Sequence, residues 1–595
     1  MPGNNPLRDI REYYTLADDL RFTKGKHNFS TGLWVQRIHE NHVGSPVYSS
    51  GAVSYSTMLT FLQDIPNQFN LVRNPLPVGF RSTESAWYFQ DEMKLRSNLT
   101  LRLGLRHEMT DGWNEVADRC TNYRYDKNFV ISTEPVLGHS CLTENHARLL
   151  FEPRVGIAWD PTGRGIWAVR AGFGIHNDLQ DVLGNRAYNN PPFSAREQLS
   201  GPLLSLIPLQ KNAPLARTCG TPGAPPPPAC GIYSPGGFDP VLRTPTSQQW
   251  SLTIERGLAR DLMLSVGYVG SESYHTPLIL NANSPYPIVC QEPQGCISGG
   301  VAQNGNPIPV TQRVVVPKGT LYHPPSTRPN PNVGNGPQWF NQGTANYHGL
   351  DVSLTKRGRG SAFKVNYTWG KAIDLNSAYF SPSAGNEPGL LPSPYYRREL
   401  NRGVASNSLA HQFNGFYSYV LPFGNGQRFG SGATGVVDKL IGGWQWQGSV
   451  RIAGGFPFTP LAGSNPTGTG DNSNSDVVSW NPDFKGKVIL GKPDQWFDPR
   501  AFVLPLQGTF GNVGRGPLRG PGLFMVDSSL LKRIRVSEGL NLQFRAEVFN
   551  VLNHPNFSYP NEVVFQGADY SPSGGVITNT ATTSRQIQFA LKLLF

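Results

Sequence analysis

The last eleven residues, RQIQFALKLLF (585–595), alternate between two kinds of side chain. Ile587, Phe589, Leu591, Leu593 and Phe595 take every second position, and Gln586, Gln588, Ala590, Lys592 and Leu594 stand between them. In an extended chain successive side chains point to opposite faces, so the stretch reads as a strand with one apolar and one mostly polar face. Chain ends ordinarily fray. A terminus patterned this strictly is expected to be paired, and to close a sheet against its first strand.

The pattern recurs upstream. NLTLRLGLRHE (98–108) sets Leu99, Leu101, Leu103 and Leu105 against Thr100, Arg102, Gly104 and Arg106. PRVGIAWD (153–160) sets Val155, Ile157 and Trp159 against Arg154, Gly156 and Ala158. In WAVRAGFGIH (167–176) Val169, Ala171, Phe173 and Ile175 oppose Arg170, Gly172 and Gly174. FKVNYTWGK (363–371), WQWQGSVRI (444–452, with Arg451 on the polar side) and LNLQFRAEV (540–548, with Arg545) repeat it. Such alternation signals strands with two unlike faces. Runs of about 10 residues exceed the roughly 5–6 of a soluble sandwich and match the roughly 9–11 of a tilted membrane-spanning strand. Trp34, Trp87, Tyr88, Trp159, Trp250, Tyr268 and Trp369 fall near strand ends, as expected of aromatic girdles at two bilayer interfaces.

Short and long connections alternate. TKGKH (23–27), LRSN (95–98), DPTGRG (160–165), RGLAR (256–260), KRGRGS (356–361) and VSEGL (536–540) join alternating runs directly. Between these hairpins lie segments 41–83, 111–151, 177–245, 271–345, 372–408, 455–524 and 552–584, rich in Gly, Pro, Asn and Ser. One connection, 422–443, is intermediate. Structureless loops this long count against a compact soluble domain, whereas short periplasmic turns and long outer loops are the rule in outer-membrane barrels. The expectation is an all-β fold, a large antiparallel transmembrane β-barrel with about 15 or more visible strands.

Composition agrees. The 595 residues are 16% charged and 11% aromatic, with 65 Gly and 51 Pro; about 25% charged is usual in globular chains. No run of about 18 apolar residues is present, so no transmembrane helix is expected. The net charge of +11 is dispersed singly along the chain, which argues against nucleic acid and for anionic lipid headgroups at strand ends. The first residues, MPGNNPLRDIREYY, lack the basic and apolar regions of a signal peptide.

Hydrocarbon forces every backbone group of a strand to be paired, and only a closed barrel does that for β structure. The apolar side then faces lipid, and Arg102, Arg106, Arg154, Arg170, Arg451 and Arg545 line the lumen. Pairing with acids of the lumen or of a plug is the plainer role for these arginines; attraction of an anionic solute is the sharper one. A barrel this wide cannot be filled by side chains. The six cysteines fall two to a long loop, Cys120 with Cys141, Cys219 with Cys230, and Cys290 with Cys296. Proximity favours three local disulfides and an oxidising exterior.

Five stretches in order resemble TonB-dependent outer-membrane receptors of the Oar-like subgroup, abundant in acidobacteria. They are ESAWYFQDEMKLRSNLTLRLGLRHE, FEPRVGIAWDPTGRGIWAVRAGFGIHND, TPTSQQWSLTIERGLARDLMLSVGYVGS, ANYHGLDVSLTKRGRGSAFKVNYTWGKAID and FRAEVFNVLNHPNF. The resemblance implies import of a scarce, large solute, powered through TonB, and a terminal strand (Ile587 to Phe595) recognised by the barrel-assembly machinery. It also implies a signal peptide, a regulatory-like domain and a plug, none of which is visible. Residues 1–595 are therefore expected to be a C-terminal fragment, an incomplete form of a 22-stranded barrel.

No G-x-S-x-G, H-E-x-x-H, Walker or G-x-G-x-x-G arrangement occurs in a suitable context. GRGPLRGPG (514–522) reads as loop. His27, His107, His176 and His348 sit at strand ends, and the neighbours in Asp18–Asp19 and Asp91–Glu92 point to opposite faces. No enzyme, cofactor or metal is expected. Two other readings compete: a non-transporting barrel that binds or adheres through its loops or acts as a passive pore, and a secreted soluble β protein.

Overall fold

The computed structural model describes residues 8–595 except 44–51, 56–57, 67, 73–76, 180–195, 200–230, 303–304, 335, 359, 378–397, 471–475 and 538. Its frame is a 17-stranded sheet. Two members are two-residue stubs, Asn114–Glu115 and Gly403–Val404. The other fifteen are long. They are β1 (Arg8–Lys24), β2 (His27–Val43), β3 (Val78–Arg96), β4 (Leu99–Thr110) and β5 (Leu150–Trp159). Next come β6 (Trp167–Asn177), β7 (Thr246–Ala259), β8 (Leu262–Asn281), β9 (Pro337–Arg357) and β10 (Ser361–Asp374). The last are β11 (His411–Val420), β12 (Trp444–Ala453), β13 (Leu523–Ser537), β14 (Leu540–Phe549) and β15 (Gln586–Leu594).

Each strand pairs antiparallel with the next in chain order. All the long connections therefore emerge at one end and all the short turns at the other. The β1–β2 turn holds Gly25 at φ 62, a left-handed value that glycine adopts without a Cβ penalty. Elsewhere glycine makes room: a Cβ on Gly270 would meet the Trp250 indole, its direct cross-strand partner.

The register carries the alternation across the wall from β4 to β10. One row runs Leu101, Ile157, Ala171, Leu252, Tyr268, Leu350, Trp369. The row on the other face runs Arg102, Gly156, Gly172, Ser251, Val269, Gly349, Gly370. Apolar side chains of the first face are bare of protein: Trp369 is 57% exposed, and Phe589 and Leu591 are each 69% exposed. None of Leu101, Phe173, Val365 or Phe589 enters a buried core. A soluble sheet would bury this face, so lipid is its solvent.

The dry cores lie at the loop end instead. Phe458, Phe497, Phe502 and Val564 form one cluster, and Ile38, Phe80, Trp113 and Ala147 a second. Leu278, Leu280 and Phe340 form a third where β8 and β9 outrun the band. Three expectations need correction. Strands of about 10 residues were expected, yet β8 and β9 have 20 and 21. Their outer ends, 278–281 in β8 and 338–343 in β9, lie beyond the hydrocarbon and are mostly buried on both faces, so the alternation is lost there. Trp34 and Tyr88 are not lipid-facing girdle residues, because the register puts them on the polar face. There Trp34 lies between Ala17 and Ala86, which leave it room, and the Tyr88 hydroxyl donates to Asp19 at 2.6 Å. Finally, among the described residues β15 pairs with β14 alone, and no ladder joins it to β1. With an odd number of long strands, β1 and β15 run in the same direction, and a direct seam would be parallel.

Candidate functional site

Two surfaces can meet a solute: the polar inner face and the loop-built mouth. The six arginines all fall on the polar face by register. Arg102 pairs with Glu92 directly across the β3–β4 ladder. Arg106 holds Glu108 at 2.5 Å, and Arg154 holds Glu152 at 2.9 Å. Arg170 meets Glu255 at 2.6 Å and Arg545 meets Glu547 at 3.6 Å. Partly hydrated pairs of this kind contribute roughly 0–1 kcal/mol each. Their larger effect is to cancel charge along the wall.

Arg451 differs. It stands opposite Asn414 and Met525 and makes no ion pair among the described residues. It opens into a cavity of about 370 Å³ between the wall and the loops, whose lining includes Gln412, Asn414, Asn556, Phe456 and Tyr559 and no carboxylate. An unopposed guanidinium beside amides and two aromatic rings can take a planar anion.

At the outer ends of β1 and β2, Asp9, Glu40 and His42 place ligand atoms within 4.8 Å of one another. Alternation hides this group, because two strands supply it. His42 Nε2 meets Glu40 Oε1 at 2.5 Å, and Arg11 donates to Glu40 Oε2 at 2.7 Å. A cation would have to compete with Arg11 for Glu40.

The mouth is held by its own network. Disulfides join Cys120 to Cys141 and Cys290 to Cys296; Cys219 and Cys230 lie outside the described residues. Arg515, nearly buried, binds the Asp374 carboxylate and donates to the Asp374 carbonyl at 2.7 Å, and its burial lowers its pKa to about 10. Burial would raise the Glu115 carboxyl, but hydrogen bonds from the Gly79, Ala117 and Arg119 backbone N–H groups and the Arg119 side chain hold it below its ordinary value. His323 ties segment 282–336 to segment 454–522. Its Nδ1–H donates to the Thr467 carbonyl at 2.7 Å, and burial drops its pKa to about 4. His323 lies in no alternating run, and Arg515 sits in GRGPLRGPG, which reads as loop, so neither role was legible in sequence.

A lipid-facing antiparallel wall with loops on one side defines an outer-membrane β-barrel. The chain belongs to the family described as outer membrane beta barrel domain, whose model matches residues 1–588. Among solved structures it is similar to the outer membrane transporter YddB from Escherichia coli, at 9% identity and TM-score 0.48 over 99% of this chain and 55% of that one. It is also similar to the ferric yersiniabactin uptake receptor FyuA from Yersinia pestis, at 10% identity and TM-score 0.41 over 99% and 55%. The siderophore receptor PiuA from Acinetobacter baumannii gives 10% identity and TM-score 0.41 over 98% and 56%. The chain thus spans about half the length of these structures. No curated protein matches it.

Proposed function

We propose that the chain is the barrel wall of a TonB-dependent receptor of the Oar-like subgroup, importing a scarce, large solute that its long outer loops recognise. The observation that carries this reading is the division along the strands: a bare apolar band for lipid, and beyond it a mouth packed into its own cores and tied by Cys120–Cys141 and Cys290–Cys296. A passive pore has no need of a mouth so ordered. In this reading residues 1–595 are barrel throughout, and the plug that contacts TonB and any regulatory-like domain lie outside them. The inner arginines that meet glutamates balance wall acids, while Arg451, in a cavity lined by no carboxylate, is suited to an anionic group on the solute. The strand carrying Ile587, Phe589, Leu591, Leu593 and Phe595 is the segment the assembly machinery reads. No catalytic group, cofactor or nucleic acid enters the reading.

The test is accumulation of labelled iron chelates, cobalamins, oligosaccharides and peptides in cells with and without the gene, in the presence and absence of a protonophore. One solute class should require the gene and lose uptake when the proton gradient collapses. Uptake that survives the protonophore would point to a passive pore. Surface binding without internalisation would point to an adhesin.

A further inference from the structure

The connection between β11 and β12 lies at the turn end and carries a short helix, α1 (Gly435–Ile441). Its polar residues, Asp438 and Lys439, fall on one side; Asp438 accepts a hydrogen bond from the Asn425 N–H at 2.5 Å. Val436, Val437, Leu440 and Ile441, at positions i, i+1, i+4 and i+5, fall on the other. That apolar side is bare, with Val436 72% and Leu440 66% exposed.

The position of α1 is fixed by what its C-terminal end covers. Lys532 of β13 stands opposite Trp444 and Phe544 in the ladders, so alternation places it on the lipid-facing side of the wall. A lone ammonium there is costly. It is nevertheless buried, because its Nζ donates to the Leu440 carbonyl at 3.1 Å and to the Gly442 carbonyl, and lies 4.9 Å from the centre of the Trp444 ring. The Trp444 indole N–H donates to the same Leu440 carbonyl at 3.0 Å. The last carbonyls of α1 therefore cap a cation on the outer side of the barrel, where the negative end of a helix is favoured. The C-terminal end of the helix therefore packs on the lipid face at Lys532 and Trp444, and its apolar side is bare.

We propose that α1 is an interfacial membrane helix, seated in the inner leaflet of the outer membrane with Val436, Val437 and Leu440 among the acyl chains and Lys532 as the pin that holds it to the wall. A helix with apolar residues on one side and charges on the other lies in the interface plane, and the short-turn end of such barrels is the periplasmic one. The occupant is phospholipid, and the proposal is independent of any transport role.

The test uses the full chain in phospholipid vesicles. Val437→Cys carries an environment-sensitive fluorophore, with Asn425→Cys in the same connection as the water-side reference. Brominated acyl chains should quench the label at 437 at least about threefold more than at 425, while iodide in water shows the reverse order. A second variant, Lys532→Met, tests the pin: the 437 label should gain mobility while the barrel stays folded by its gel shift. Equal bromolipid quenching at the two positions overturns the proposal. So does energy transfer between labelled protomers that depends on protein density, which would show that a second copy covers this side.

Discussion

Lowering the pH from 7 to 4.5 should loosen the mouth through one residue. His323 is fully buried and its pKa sits at about 4, against 6.5 for an ordinary imidazole. A loop that opens locally releases the ring to water, where it takes a proton that the closed loop excludes. The group's folded pKa is therefore depressed, so its full contribution is present above pH 6.5 and is lost as the pH falls toward 4. Two and a half pH units at about 1.4 kcal/mol each give about 3.5 kcal/mol in all, of which the step to pH 4.5 draws most, or on the order of a hundredfold in opening. Hydrogen exchange of the detergent-solubilised protein, corrected for intrinsic rates, reads this in peptides from 282–336 and 454–522. His323→Gln removes the titration. It keeps a donor able to reach the Thr467 carbonyl, so neutral-pH protection should fall by no more than about 1 kcal/mol, and the extra opening at pH 4.5 should vanish. The same pH slope in His323→Gln and the parent would refute the reasoning and shift the acid response to carboxylates such as Glu115.

Other outcomes follow from packing and environment. Phe497→Ala, in the core shared by segments 454–522 and 550–585, should cost about 3–5 kcal/mol of local stability, seen as faster exchange in those loops with the barrel ladders unchanged. Leu591→Arg puts a charge on the lipid face near the middle of β15 and should lower folding stability in bilayers by about 2–4 kcal/mol, while Gln588→Arg on the polar face should change it little; urea titrations in vesicles compare the two. Replacing Cys120 and Cys141 together by serine removes the tie across segment 111–149 and should weaken that loop by about 2–4 kcal/mol, read as faster thermolysin cleavage there. Reduction of the parent should reproduce this effect.

The strands were legible because one physical fact, lipid on one side and a polar cavity on the other, writes a period of two into each of them. Leu99 to Leu105 and Ile587 to Leu593 show it residue by residue. Where that contrast ends, so does the signal. Pro277, Leu278, Ile279 and Leu280 continue β8 with the last three buried, and a run covered on both sides reads as loop or core with equal ease. Phe458, Phe497, Phe502 and Val564 meet from distant segments with no common spacing. Alternation likewise gives each arginine a face but not a partner: Glu92 and Glu255 reach Arg102 and Arg170 only through a cross-strand register that no single run encodes. The helix α1 is too short to show a helical period.

Strand parity also assigns the loop-side connections and the end of β15 to opposite compartments. Because the β4–β5 connection lies at the mouth and β15 descends beside β14 to the turns, a protease site engineered beside Leu149, which is 74% exposed, should be cut on intact cells. One placed after Leu594 should resist until the outer membrane is breached.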